Sequence, residues 1–585
     1  MADVEHPLLA GLTVEQSDAV TTRASPMCIV AGAGSGKTRV LTRRIAWQAR
    51  QGRADPRRTL AVTFTRRAAR ELRARLRGLG LNDGVRAGTF HAVALAQLRR
   101  HAADSGRRPP RILESVPSLI AELRPKADRA AVTDIVNEIG WCRARLVTPE
   151  GYAGAARAAG RRAPLGRADR FAQLYADYES AKGRRRVLDF DDVLSRSLEL
   201  MSTDARHAAA HRWLHQHLLV DEFQDINPLQ FALLRSWLGP DSTLVVVGDP
   251  DQAIYGWNGA DPDLINNIGA HLRGCAVLHM RTNFRSTPQV LAAAGRILDR
   301  AAQPAVRPPG DDPTVTVCDG SDEAAVLARA VRHRHRPGSR WRRQAVLART
   351  NAQLEPLRRS LVRHNIPVAA PSERNLIRRP EIAALLRAWP AGASLASCVA
   401  ETDQELQDPA PTDPQSGSVA SGTGVADPPE TRAAVRSFLE FAHDHLTLDP
   451  DASVGSFHAA LRADDRAAAP VDGVDLMTFH AAKGLEWPIV HIVGMEDGFV
   501  PLSHARTAAA RAEERRLLHV AVTRAEQELH VLWCDRRDLG GASVDREPSP
   551  WLKDIAAASE DSRSTVDPRE AIARARQELR ARQER

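Results

Sequence analysis

The six cysteines of this 585-residue chain, Cys28, Cys142, Cys275, Cys318, Cys398 and Cys534, include no CxxC pair and no spacing that fits zinc or an iron–sulfur cluster. Scattered in this way, they point to a reducing cytosol. No apolar run approaches the ~20 residues that a membrane span needs. The opening MADVEHPLLAGL carries acids where a signal peptide has bases. The expectation is a cytoplasmic protein with no membrane partner. A single core is also excluded, because domains run to roughly 100–200 residues and this chain should hold three or four. What the chain does have is positive charge, 81 Lys+Arg for a net +9. That suits a polyanionic partner, since neutralised phosphates release counterions. An Ala- and Arg-rich composition accounts for the same excess, so charge alone does not name the partner.

Short apolar runs mark strands at Cys28–Ala31, Leu60–Phe64, Leu218–Val220 and Leu244–Val247, with helical stretches between them. This alternation predicts an α/β fold around a mostly parallel sheet. From about Ala94 to Val187 the pattern turns Ala-, Arg- and Leu-rich with helical spacing, which reads as a helical insertion. A second α/β series has strands at Val346–Ala348, Ile489–Val493 and Leu529–Trp533. Residues 401–430 are almost devoid of large apolar side chains and rich in Pro, Gly, Ser, Asp and Thr. Such a stretch cannot bury enough surface to offset its ordering entropy and is expected to be a disordered linker. The C-terminal residues 567–585 begin with Asp, Pro and Glu at positions suited to N-cap, N1 and N3, predicting a solvated tail helix.

The chemistry starts at Ala31, Gly32, Ala33, Gly34, Ser35, Gly36, Lys37 and Thr38, with Arg39 opening the helical stretch that follows. Three glycines let backbone N–H groups turn inward around phosphate oxygens at a helix N-terminus. Lys37 then reaches the β/γ-phosphates and Thr38 holds Mg²⁺ through its hydroxyl. ATP with Mg²⁺ is the implied ligand, although the loop alone fits several ATPase families. VDEFQD places Asp221 at a strand end to hold Mg²⁺ and Glu222 to orient and deprotonate the attacking water. In VGDPDQAIYGWNGA, Gln252 is positioned to sense the γ-phosphate. Tyr255 and Trp257 follow in a Gly-rich loop, where exposed rings can stack on bases of any identity.

Together these segments resemble the UvrD/Rep/PcrA group of superfamily 1 helicases, and the match continues in order through almost the whole chain. The resemblance implies two RecA-like P-loop NTPase domains, residues 1–93 with 188–280 and residues 281–390 with 471–556. It implies helical insertions at 94–187 and, much reduced, at 391–470, followed by a tail from 557. LTVEQSDAV resembles the adenine-reading glutamine motif through Gln16. AVTFTRRAARELRARL implies DNA contacts from Phe64 and Thr65, and GTFHA resembles the next DNA-binding segment, which contains Thr89 and His91. LDFDDVL closes the first insertion. TNFRS implies that Phe284 stacks on adenine and Arg285 reaches the γ-phosphate, while ARTNAQ nominates Arg349 and Asn351 for DNA. LMTFHAAKGLEWPIV puts Thr478 and His480 near the strand and Glu486 near the ribose. EERRLLHVAVTRAEQEL supplies a second arginine finger, Arg524, with His519 in a packing role where relatives have Tyr.

The activity implied is ATP-driven, 3′-to-5′ movement on single-stranded DNA or at single-strand/duplex junctions, in the company of repair proteins and on the nucleoid. The motif wording looks like that of a short actinobacterial branch. Only about 80 residues lie between Trp389 and Val474, so the second insertion reduces to a few helices such as 432–445 and 454–463. That favours translocation over strong unwinding, and after the last motif too few residues remain for a nuclease domain. Two other readings stay open on the residues: a regulatory DNA-binding protein switched by ATP, and an RNA-directed motor.

Overall fold

The computed structural model describes residues 6–81, 84–113, 115–319, 322–369, 380–407, 472–539 and 542–557, with short stretches between 435 and 458. Its strands are β1 Met27–Ala31, β2 Thr59–Thr63, β3 Arg86–Thr89, β4 Arg111–Ile112, β5 Val187–Leu188, β6 His217–Val220, β7 Thr243–Gly248, β8 Ala276–Met280, β9 Thr314–Asp319, β10 Gln344–Ala348, β11 Val368–Ala369, β12 Val474–Thr478, β13 Trp487–Ile492, β14 Ala525–Leu539 and β15 Ala542–Asp545.

The first lobe is a six-stranded sheet in the order β3-β2-β6-β7-β1-β8. Every described pairing in it is parallel, with Ile29 in register with Val247 on one side and Leu278 on the other. Parallel sheets are covered on both faces, so their strands read as continuous apolar runs. MCIVA, HLLV and LVVV are such runs. Because the strands share one direction, their C-terminal ends lie along a single edge, which is where α/β folds bind ligands. That edge receives the loop after β1, Asp221 after β6 and Asp249 after β7. β3 and β8 escaped the sequence reading: RAGT contains no apolar run, and AVLHM is interrupted by a histidine.

The second lobe is a seven-stranded sheet in the order β11-β12-β10-β13-β14-β15, with β9 also pairing β14. Only β15 is antiparallel in it. β9 and β12 were likewise missed, because TVTVCD alternates apolar and polar side chains and Asp475 interrupts VDLMT.

The first insertion builds its own core from Ile135, Phe171, Tyr178 and their neighbours. β4 and β5 pair where the chain enters and leaves it. A buried charge cluster locks LDFDDVL to it: Lys182 Nζ lies 2.7 Å from both Asp189 and Asp192, and Arg143 pairs with Asp192. Asp189 also caps the helix Phe190–Thr203. The helix Phe90–Asp104 crosses the expected start of the insertion at residue 94, and its Phe90, Val93 and Ala94 bury in the first lobe's core.

The second insertion keeps a small core of Leu395, Phe438, Phe441 and Phe457, and it recruits Ile382 and Trp389 from before residue 391. The linker expected at 401–430 starts later than its composition indicates, because the helix Leu395–Gln407 covers its first seven residues. The signal was helical spacing at Leu395, Cys398, Val399 and Thr402, all of which are buried. Residues 408–430 and the tail helix at 567–585 lie outside the described residues, as do parts of the helices expected at 432–445 and 454–463.

Candidate nucleotide and nucleic-acid site

The loop after β1 turns tightly because Gly34 and Gly36 adopt φ of 67° and 84°, a left-handed conformation that costs other residues strain. Close neighbours hold it. A Cβ on Gly34 would stand 2.6 Å from Arg285 Cβ, and one on Gly32 1.8 Å from the Gln303 amide nitrogen. The helix Lys37–Arg50 starts at Gly36, so its unpaired N–H groups face the loop. Thr38 and Arg39 stand on its first turn, and Lys37 Nζ donates to the carbonyl of Ala31 at 3.1 Å. Gln16 is buried beside the loop. Its side-chain Nε2 donates to the Ser35 carbonyl at 2.9 Å while its Oε1 accepts from Thr13 N.

Glu222 sits at φ 53°, outside the range that β-carbon residues normally prefer. Such strain persists only where surrounding contacts over-determine it. A chain of side chains supplies those contacts. Gln224 Nε2 donates to Glu222 Oε2 at 2.5 Å, Gln224 Oε1 accepts from Asp249 N at 2.9 Å, and Gln252 Nε2 donates to Asp249 Oδ2 at 2.6 Å. Burial, then the Glu222 charge, pushes the Asp221 carboxyl up to about 7. Burial would raise Glu222 as well, but Lys483, Lys37, Gln224 and Arg524 outweigh it and hold this carboxyl below its usual range. The two neighbouring acids thus differ in proton affinity, an arrangement suited to separate roles.

The second lobe closes on this edge through TNFRS. Asn283, fully buried, donates through Nδ2 to the Ala33 carbonyl at 2.6 Å, and Phe284 N donates to the Gly34 carbonyl at 2.9 Å. Arg285 pairs with Glu486 at 2.5 Å. Arg524 is 1% exposed and has no carboxylate within ion-pair distance among the described residues; it donates to the carbonyls of Val520 and Leu485 and to Thr523 Oγ1. Burial and the nearby Arg285 lower its guanidinium to about 9. A buried cation without a direct ion pair favours an incoming anion.

Lys483, to which the sequence assigns no role, forms a buried charge link between the lobes. From the HAAKGLEW segment its Nζ reaches Asp225 Oδ2 at 2.5 Å and the Gln252 carbonyl at 2.7 Å. It also stands 5.2 Å from the centroid of the Tyr255 ring. Burial raises Asp225 to about 7 despite this lysine. Lys483 lies three residues before Glu486 in a segment already singled out, but only the fold reveals which acid it meets.

On the nucleic-acid side two expectations change. Tyr255 is 8% exposed, packs into the interlobe core and stacks on Phe64 at 5.3 Å and 21°, so it does not offer an open ring face. Alternation within a loop does not say which ring points inward, and here the turn Gly256–Asn258 leaves only Trp257 outside, 49% exposed. Arg349 is committed to a bidentate pair with Glu514, at 3.0 and 2.6 Å, instead of projecting from the surface. Trp257, Tyr255 and His480 lie mutually within 6.5 Å between ring centroids. Burial, then Arg349, lowers His480 to about 4 and keeps it neutral. Thr65 and Thr89 cap helices through their hydroxyls, His91 stacks on Phe190 at 4.0 Å, Asn351 is exposed, and Thr478 accepts from Ala481 N. Phe64, Thr89, His91 and Tyr255 line one cavity of about 150 Å³. His519 has the packing role expected, its Nδ1–H donating to the Ala294 carbonyl at 3.0 Å.

Two lobes with parallel sheets, a phosphate loop on one and arginines brought to it by the other, define a bilobal P-loop ATPase. The N-terminal domain model of the UvrD/REP helicases matches residues 12–272, and the UvrD-like helicase C-terminal domain model matches residues 278–388 and 429–536. The chain belongs to the UvrD/REP helicase family. The curated relatives it resembles include the ATP-dependent DNA helicase UvrD2 of Mycobacterium tuberculosis, 36% identical over 95% of this chain and 83% of the relative. The Mycobacterium bovis protein of the same name matches to the same extent. The ATP-dependent DNA helicase PcrA of Staphylococcus epidermidis is 29% identical over 96% of this chain and 89% of the relative. None of the helices among the described residues is long and apolar enough to cross a membrane.

Proposed function

We propose that this protein is an ATP-dependent DNA helicase that couples MgATP hydrolysis to 3′-to-5′ movement along single-stranded DNA. The observation that carries the reading is the convergence of Lys37, Asp221 and Glu222 from one lobe with Arg285, Lys483 and Arg524 from the other. Thr38 and Asp221 are hard oxygen donors that fit Mg²⁺, and a cation beside Asp221 would bring its raised carboxyl down into the ionised form. The bound ion would supply charge neutralisation at the phosphate oxygens.

Lys37 and the loop Ala31–Thr38 hold the phosphates, with Gln16 and Phe284 toward the base and Glu486 toward the ribose once Arg285 leaves it for phosphate. Glu222, kept ionised, orients and deprotonates water, and Gln252 relays the γ-phosphate's state to the Trp257 loop. Arg285 and Arg524 stabilise the charge that develops on transfer, a role worth about 10³–10⁵ in rate in comparable enzymes. Completing the site requires both lobes, so hydrolysis is tied to closure, and two lobes that each grip DNA convert closure into steps. Phe64, Thr65, Thr89, His91, Asn351, Thr478 and His480 border the strand, and Trp257 stacks on its bases. The lobes correspond to residues 1–93 with 188–280 and 281–390 with 471–556. The small second insertion favours translocation over strong unwinding at junctions, in a repair setting.

The test is ATP hydrolysis with and without single-stranded DNA or RNA, together with strand displacement on 3′-tailed and 5′-tailed duplexes. Stimulation by DNA and displacement from the 3′ tail support the reading. No stimulation by DNA overturns it, and stronger stimulation by RNA reassigns the substrate.

A further inference from the structure

Beside the small cleft cavity lies a second groove of about 1830 Å³, and the two share Thr89 and His91 in their walls. One side of the groove comes from β3 and the helix Phe90–Asp104; the other comes from the reduced insertion through Phe441, His445 and Ser453. The Arg70 guanidinium lies 3.8 Å over the Phe441 ring and ties the insertion to the first lobe. Eight arginines line the groove against two acids, and one of those acids, Glu122, is already paired with Arg185. Arg86, Arg100, Arg107 and Arg111 make no ion pair among the described residues. Arg86 is lowered by burial and by the Arg100 charge, the mark of a cation held near another without compensation.

Two further observations point to a ligand. His211 and His215 line this groove, nine-tenths buried, and their Nε2 and Nδ1 atoms have no hydrogen-bond partner among the described residues. Trp213, at its margin, has the Arg58 guanidinium 4.0 Å from its ring centroid over one face and is still 64% exposed, which leaves the other face for a planar group.

We propose that this groove extends the single-strand track beyond the interlobe cleft, with its arginines on the sugar–phosphate backbone and Trp213 stacking on a base. The inference rests on the helicase reading above. The groove is walled on two sides and offers the Trp213 face that Arg58 leaves uncovered. A flexible strand with splayed bases can use both, whereas the stacked bases of a duplex cannot reach Trp213. Thr89 and His91, shared by both walls, set the groove directly beside the cleft.

Binding of fluorescent oligothymidylates of about 6 and about 20 nucleotides, lengths that span the usual range of single-strand site sizes, tests this over a salt series. The variants are R100A/R107A/R111A and W213A, all at exposed positions. The triple variant should weaken binding of the long strand about tenfold and lower its salt slope by about 2, since each neutralised phosphate of a single strand contributes about 0.7. The short strand and the DNA-stimulated ATPase rate at saturating DNA should change less than twofold. W213A should weaken long-strand binding without changing the slope, which separates stacking from charge. An unchanged long-strand affinity in the triple variant overturns the proposal, as does an equal loss on short strands or on blunt duplex. If the wild-type protein shows no DNA-stimulated hydrolysis, the helicase reading itself fails, and that result is independent of these binding data.

Discussion

Substituting Lys483 with methionine removes the lysine that bridges the lobes and leaves Asp225, whose side chain is 1% exposed, without its cation. Breaking a buried pair by deleting one partner costs about 3–5 kcal/mol, because the remaining charge stays desolvated. Asp225 already stands at about 7 with the lysine present, so it takes up a proton when the lysine goes, and the cost falls to the lower end, about 3 kcal/mol. The loss weighs on the closed arrangement, where Lys483 also meets the Gln252 carbonyl. At 1.36 kcal/mol per tenfold, DNA-stimulated kcat should drop about 100-fold. The double variant Lys483→Met/Asp225→Asn leaves neither charge buried and should recover at least about tenfold over the single variant, a coupling read directly from the cycle. The assay is steady-state phosphate release at saturating ATP and single-stranded DNA. A single variant within threefold of wild type refutes the reasoning. So does a double variant no faster than the single one, which would assign Lys483 to the nucleotide and not to Asp225.

Lys37→Ala should abolish hydrolysis while retaining single-strand binding in a filter or anisotropy assay, because Lys37 acts on the phosphates and on Glu222 and not on the strand. Trp257→Ala should lower DNA stimulation of the ATPase more than the DNA-free rate, whereas Tyr255→Ala, which opens a cavity beside Phe64, should lower the melting temperature and both rates together. Equal losses from the two substitutions would remove the distinction between an outward and an inward ring. Arg349→Met should destabilise the second lobe by about 3–5 kcal/mol through the orphaned Glu514, and Arg349→Met/Glu514→Leu should restore most of that in thermal melts. Asp221 has its folded-state carboxyl raised to about 7, so its contribution to stability is full below about pH 4 and is lost as pH rises to 7. Relative to wild type, Asp221→Asn should therefore gain about 1.4 kcal/mol per pH unit between roughly pH 4 and 7, and level off above that. A difference that stays flat across this window in paired thermal melts would contradict the shift.

Local chemistry was readable without a fold wherever it depends on residues close in sequence. Gly34, Gly36, Lys37 and Thr38 form their loop because the turn and the helix start are set by neighbouring backbone. The buried strands β1, β6 and β7 announced themselves because two covered faces demand continuous apolar runs. Strands with one wetter face, such as β9, and short ones such as β3 gave too weak a pattern. Composition misjudged residues 401–407 because it averages over a window, while a helix needs only one apolar stripe.

What only the tertiary structure decided is direction and partnership. Tyr255 and Trp257 are two residues apart and chemically alike, yet one fills the interlobe core and the other faces out, a choice made by the turn between them and by Phe64. Arg349 and Arg524 look equally free in the sequence. One is neutralised by Glu514, 165 residues away, and the other is buried without an acid, poised for an anion. Lys483 and Asp225, 258 positions apart, meet because two separately folded sheets present their loops to the same edge. Sequence by itself determined which groups the molecule carries and which backbone each sits on. Charge pairing and burial act through space with no regard to chain separation, so the fold alone settled which of those groups stand together.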